Sequence, residues 1–220
     1  MDLNKHLSFF NPVKLKNSEI HIIGCGAIGS NVALQLAKLG VEALTLWDFD
    51  IVTDHNVTNQ VYDFYDVNKK KTEALKEHLL KQNPRIKVNC RGKYTYSPLK
   101  GLIIMCVDSV ETRKKIAEAN QYNIGIQLLI DGRIGLTEGQ VYCVNWTDSK
   151  EIEKYISLTD FKDDEVQTPV SPCGTTLSVS PSVLITVSYM IACLINYVNE
   201  KPNPPIIMLD AFNFKTITFK

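Results

Sequence analysis

Apolar and polar positions alternate along this chain in two rhythms. Residues 19–23 (Glu-Ile-His-Ile-Ile) read as a strand, and 27–39 as a helix with Ile28, Val32, Leu36 and Leu39 along one side. Residues 43–48 are a second strand ending in Trp47-Asp48, followed by an irregular polar stretch from 50 to 68. Asn68 is placed to cap a helix over 69–81, which "QNPR" stops. Strands follow at 86–90 and 102–107, a helix at 110–121, and strands at 126–130 and 139–146. Residues 147–174 are charged and rich in turn formers, and read as a mobile crossover. A long apolar helix comes next, and the chain closes as two strands around a turn. Strands alternating with helices predict an α/β fold: a Rossmann-like, doubly wound, mostly parallel sheet with antiparallel C-terminal strands.

Bulk properties narrow the classes. A chain of 220 residues suits one ample core, so 1–220 is read as a single domain. Lys+Arg and Asp+Glu are 24 each, which gives no support for nucleic acid as a partner. Six cysteines lie far apart, with no C-x-x-C pair, against a zinc ribbon or a secreted disulfide scaffold. The N-terminus has no apolar signal-peptide core, so a reducing, cytoplasmic location is expected. One segment tests that expectation. No charge falls between Val166 and Asn199, and "PSVLITVSYMIACLINYV" approaches membrane-spanning length. It carries serines, Thr186, Tyr189 and Asn196 and has no basic cluster at its start, so it reads as a helix buried all round, with no membrane partner.

Gly24, Gly26 and Gly29 form G-x-G-x-x-G between a strand and a helix. The first allows a tight turn, the second a close approach of backbone N–H groups to phosphate, and the third close helix–strand packing. The helix N-terminus adds partial positive charge. Asp48, about 20 residues on, ends the second strand where an acid accepts from ribose hydroxyls. Asp50, one pleat repeat later, is placed to face phosphates or a metal, or is an ordinary strand-end carboxylate. The loop predicts a nucleotide. It leaves NAD and ATP both open.

The residues after the loop resemble a known family. "DFDIVTDHNVTNQ" (48–60) is similar to the D-x-D-x-V-x-x-x-N-x-x-R-Q segment of the ThiF/MoeB/HesA superfamily, which includes the ubiquitin-activating enzymes. "DVNKKKTEALKEHLLKQNPRIKV" (66–88) resembles its D-x-G-x-x-K helix followed by N-P, and "CVDSVETRKKI" (106–116) its D-x-x-x-T-R motif. "CGTTLSVSP" (173–181) resembles the cysteine segment before a long apolar helix. The ordered set spans residues 20 to 198.

The resemblance implies an ATP- and Mg²⁺-dependent adenylyltransferase. Its partner would be a ubiquitin-like or sulfur-carrier small protein whose C-terminal glycine carboxylate is joined to AMP with release of pyrophosphate. It also implies a homodimer. By resemblance, the loop and first helical turn (Gly24, Gly26, Ala27, Ile28, Gly29) and Asp48 hold the nucleotide, and Asn56 and Gln60 serve as phosphate or backbone ligands. Lys71 follows the phosphates, although Lys69 and Lys70 leave the register open; Asp108, at a strand's carboxyl end, helps hold Mg²⁺. Arg113 pairs with Asp108 or the phosphates, or is a helix-surface arginine. Cys173 is either a nucleophile forming a thioester or acyl-disulfide, or a structural cysteine; Cys25 is a small residue tolerated in the loop and Cys106 belongs to the core.

The chain also departs from the pattern. The family's R-Q is Asn59-Gln60, and residues 1–84 contain no arginine. Arg133, Lys14 or Lys16 are the possible substitutes. Those losses motivate an alternative: a catalytically degenerate, ATP-binding partner or scaffold protein of the same fold. A hydride-transferring oxidoreductase rests on the glycine loop and Asp48 alone.

Overall fold

The computed structural model describes residues 2–160 and 177–219. Its frame is an eight-stranded sheet. Strands β1 (Ile20–Ile23), β2 (Ala43–Trp47), β3 (Lys87–Arg91), β4 (Gly101–Met105) and β5 (Ile126–Ile134) pair in parallel in the order β3-β2-β1-β4-β5. Strands β6 (Glu138–Asn145), β7 (Ile206–Asp210) and β8 (Lys215–Phe219) extend it antiparallel. The antiparallel part therefore begins one strand before the closing pair. The strand order reverses between β1 and β4, and in open α/β sheets ligands bind at the carboxyl ends of the strands beside such a switch point.

Two helical layers cover the sheet because its strands are apolar on both faces. Along β4, Leu102 and Ile104 face one layer while Ile103 and Met105 face the other. Each such side chain, fully buried, contributes roughly 1.5–3 kcal/mol. Helices α1 (Ala27–Lys38), α2 (Lys71–Gln82) and α5 (Ser180–Val198) build the first layer; α3 (Val110–Asn120) and α4 (Ser149–Ser157) build the second.

Three local expectations are corrected. Asn68 does not cap α2: its φ is 71°, in the left-handed region that asparagine tolerates, and Lys70 stands at the N-cap. The reason is a backbone pairing. Val52 N–H donates to the Lys69 carbonyl at 2.8 Å and Asn68 N–H to the Val52 carbonyl at 2.9 Å, so residues 68–69 cannot also be helical.

The stretch read as a crossover contains a helix, α4, capped by Asp148 accepting from Lys150 N–H at 2.9 Å. Its inward pair Ile152 and Tyr155 was hidden among surface charges. Residues 161–176, which include the remainder of that crossover and Cys173, lie outside the described residues.

Helix α5 is long and apolar enough to cross a membrane, and here packs against α1, β5 and β6. It is not buried all round. Ser182, Val183, Thr186, Val187 and Met190 face inward, while Leu184 and Ser188 are exposed. Its hydroxyls are satisfied nearby: Thr186 Oγ1 donates to the Ser182 carbonyl and Ser182 Oγ to the Leu136 carbonyl, both at 2.8 Å.

Candidate active site

The glycine loop joins β1 to α1 at the switch point, and the fold holds it from three sides. Gly24 N–H donates to the Trp47 carbonyl at 2.8 Å, at the end of β2. A Cβ on Gly24 (φ +92°) would lie 2.6 Å from the carbonyl oxygen of Cys106, just past β4. A Cβ on Gly29 would lie 1.9 Å from the Gly24 carbonyl oxygen, so only glycine lets α1 fold back on its own loop. Gly26 differs. It is the N-cap of α1, has no side chain to cap the first turn, and opens to space, with nothing within 4 Å of a Cβ built there. Ala27 and Ile28 begin the helix, and Ile28 is turned into the core. The first-turn N–H groups are thus placed to meet a phosphate.

Asp48 braces this loop. Its Oδ2 accepts from Cys25 N–H at 2.7 Å and its Oδ1 from Asp50 N–H at 2.8 Å. A carboxylate has about four lone-pair sites, so ribose hydroxyls can use those that remain. The Tyr62 hydroxyl, unnoticed in the sequence, donates to the Cys25 carbonyl at 2.7 Å from below. Burial, and after it the Asp48 carboxylate, holds the Cys25 thiol well above its ordinary range, which makes it a poor nucleophile.

Of the three adjacent lysines, Lys71 is the one turned inward. It is 8% exposed, and its Nζ sits 2.9 Å from Asp50 Oδ2. Asp50 therefore meets an ammonium with one oxygen while its side chain stays half exposed. Its backbone carbonyl also accepts from Lys71 N–H at 2.9 Å, which fastens the start of α2 to the loop after β2. Lys69 pairs instead with Asp66 and Glu77. Asp108 follows β4, next to the strand that carries the loop; its carboxylate is exposed and meets no side-chain partner among the described residues. An unengaged, hard oxygen donor at a strand's carboxyl end suits Mg²⁺, so this residue fits the metal the motifs imply.

Other predicted residues are placed differently. Asn56, 5% exposed, accepts with Oδ1 from Thr53 N–H at 2.9 Å and Thr53 Oγ1 at 3.0 Å and so closes a turn. Replacing it with alanine should cost about 1 kcal/mol, the usual worth of a lost cap, as a shift in urea midpoint. A loss of nucleotide affinity at unchanged stability would instead make it a ligand contact. Gln60 Oε1 is buried and meets no donor among the described residues. Asn59, in the arginine position, gives its amide to Ser178 Oγ at 2.7 Å.

Arg113 is not on the helix surface, and its side chain pairs with Asp131, not with Asp108. It is 4% exposed, with Nη1 2.5 Å from Asp131 Oδ1 and Nη2 donating to the Val107 carbonyl. Arg133 joins the same carboxylate, Nε to Oδ2 at 2.8 Å, and lies over the Tyr142 ring. Asp131 was missed; the available signal was a charge inside an apolar strand, "LLIDGRI". The lysine substitutes lie away from the glycine loop of their own chain. Lys14 Nζ donates to the Val198 carbonyl at the last turn of α5, and Lys16 lines a groove at the amino ends of β1, β2 and β3.

Known proteins share this plan. The crystal structure of PaaA covers all of this chain with a TM-score of 0.73 at 21% identity, and that of E. coli MccB with ATP covers 94% of it with a TM-score of 0.69 at 22%. At such identities the likeness shows the fold. In sequence, the adenylyltransferase and sulfurtransferase UBA4 of Saccharomyces cerevisiae is 27% identical over 226 residues, 94% of this chain. The adenylyltransferase and sulfurtransferase MOCS3 of Drosophila yakuba is 31% identical over 115 residues, covering 49% of this chain and 25% of that protein. The chain spans 49% of the yeast protein's length. The ThiF family profile matches residues 11–220, through the glycine loop, Lys71, Asp108 and the final strand: this chain belongs to the ThiF family.

Proposed function

We propose that this chain is an adenylyltransferase acting on the C-terminal glycine carboxylate of a ubiquitin-like or sulfur-carrier small protein. The observation that carries this reading is Lys71, a buried lysine whose ammonium rests on Asp50 near an uncapped glycine loop at the switch point. A carboxylate attacking a phosphate is repelled by it, so catalysis is mostly positioning and charge neutralisation. An oxygen of the carboxylate bonds to the innermost phosphorus of ATP; the bond from that phosphorus to the pyrophosphate oxygen breaks, and pyrophosphate leaves with the electron pair. The N–H groups at the start of α1 bind phosphate, and Asp48 takes the ribose. Lys71 exchanges Asp50 for the phosphates and follows their charge on a flexible stem. Asp108 would hold Mg²⁺, which when bound neutralises part of the triphosphate.

Support for the partner class is the family together with relatives named as adenylyltransferases and sulfurtransferases. The same proposal takes 1–220 as one adenylation domain in a cytoplasmic homodimer, with onward transfer through Cys173 where the acyl group is passed on. Isotope exchange between pyrophosphate and ATP tests it. Exchange is expected only with a small protein ending in a free glycine carboxylate, and Lys71→Ala should slow it roughly a hundredfold. Full exchange in that variant removes Lys71 from the chemistry. A second reading, an ATP-binding scaffold, is favoured by one feature: Asn59 stands in the arginine position with its amide engaged by Ser178. Tight ATP binding without partner-dependent exchange would select it.

A further inference from the structure

Under the turn between β4 and α3 lies a polar cluster that the reaction above does not use. Asp131, at 0% exposure, accepts with Oδ1 from Arg113 Nη1 at 2.5 Å. Its Oδ2 accepts from Arg133 Nε at 2.8 Å and from the Tyr155 hydroxyl at 2.9 Å. Burying such a charge set is seldom a net gain over apolar packing of the same volume, so a geometric role is the physical alternative. The geometry offers one. Arg113 also donates to the carbonyls of Val107 and Gly132, holding the turn and β5 together with one planar fork. Val107 immediately precedes Asp108, and a Cβ on Gly24 would stand 3.0 Å from Val107 N. The turn that Arg113 clamps therefore carries Asp108 and also abuts the glycine loop. Asp108 meets no side-chain partner among the described residues, so its aim comes from this backbone.

We propose that Asp131 is a positioning residue: through Arg113 and the Val107 carbonyl it holds Asp108 where the divalent cation of the nucleotide is received. The inference rests on the adenylation reading. It also has an electrostatic side. Asp131 faces two guanidinium groups and the Tyr155 hydroxyl, and removing its charge would leave both cations uncompensated beside the turn, which opposes an incoming cation.

The test is Asp131→Asn in the full chain, read by nucleotide binding and not by turnover. Thermal shift or calorimetry gives the Mg²⁺ concentration at half-saturation for ATP, and ATP affinity in EDTA. The half-saturation point should rise by about tenfold or more, the usual cost of losing a partner that orients a metal ligand, with affinity in EDTA unchanged. Tyr155→Phe should give a smaller rise of the same kind. An unchanged half-saturation point overturns the inference, and so does an equal loss of affinity with and without Mg²⁺, which marks general loosening. Should Asp131→Asn not fold, Arg113→Lys and Tyr155→Phe decide by the same criteria. Wild-type protein without Mg²⁺-dependent ATP binding refutes the adenylation reading itself, whereas a wild-type response that Asp131→Asn retains refutes this inference alone.

Discussion

Asp108→Ala is expected to leave a folded protein with about a hundredth to a thousandth of its partner-dependent pyrophosphate exchange. The carboxylate is exposed, so its removal costs the fold little: about 0.5 kcal/mol at most for a surface site of this kind, plus about 0.3–1 kcal/mol for a negative charge near the start of α3. Activity and stability should therefore separate cleanly. Exchange assays beside a thermal melt check both. Asp108→Asn is the sharper variant: it keeps the size and an oxygen donor but loses the charge that a hard cation needs. Normal exchange in either variant would remove Asp108 from the site and leave the positioning cluster beneath it without a purpose.

Gly29→Ala should have the largest effect on the fold. In a helix the change ordinarily gains about 1 kcal/mol. Here the added Cβ would lie 1.9 Å from the Gly24 carbonyl oxygen, a backbone atom that cannot swing aside. Overpacking of that kind costs roughly 1–3 kcal/mol, and the clash wins. With the loop pushed from Cys106 and Trp47, the protein should melt several degrees lower, at about 2–4 °C per kcal/mol for this size. The stabilisation by Mg²⁺–ATP should disappear with it. Gly26→Ala is the control, since nothing stands within 4 Å of its Cβ. It should melt like the wild type and lose only the ligand response. An unaltered melting temperature for Gly29→Ala would refute this account of the loop.

The strands and α1, α2, α3 and α5 were legible because their apolar periods are strong and each motif is local. β1, α1 and β2 fall within a residue or two of the expected bounds. Helix α4 was not legible, because the two side chains it buries are scattered among exposed charges. The cap at Asn68 misled, because bridging of residues 51–52 to 68–70 is a contact between distant stretches of chain. Asn56 and Arg113 matched motifs, yet each side chain is occupied within the protein, one closing a turn and the other bound to Asp131. A motif records which residue stands at a position; where the side chain points depends on what packs around it.

By itself the sequence determined the kind of protein. The glycine spacing, the ordered motifs and the alternation of strands and helices are properties of short neighbouring stretches, and they sufficed for a doubly wound sheet of the ThiF type. Only the tertiary structure decided which partners the basic side chains take. Lys71 is turned inward onto Asp50, Arg113 and Arg133 are drawn to Asp131, and Lys14 is held at the far end of α5. The reason is electrostatic: a long basic side chain reaches whichever carboxylate or carbonyl the fold brings near it, and at this switch point those groups come from strands far apart in the chain.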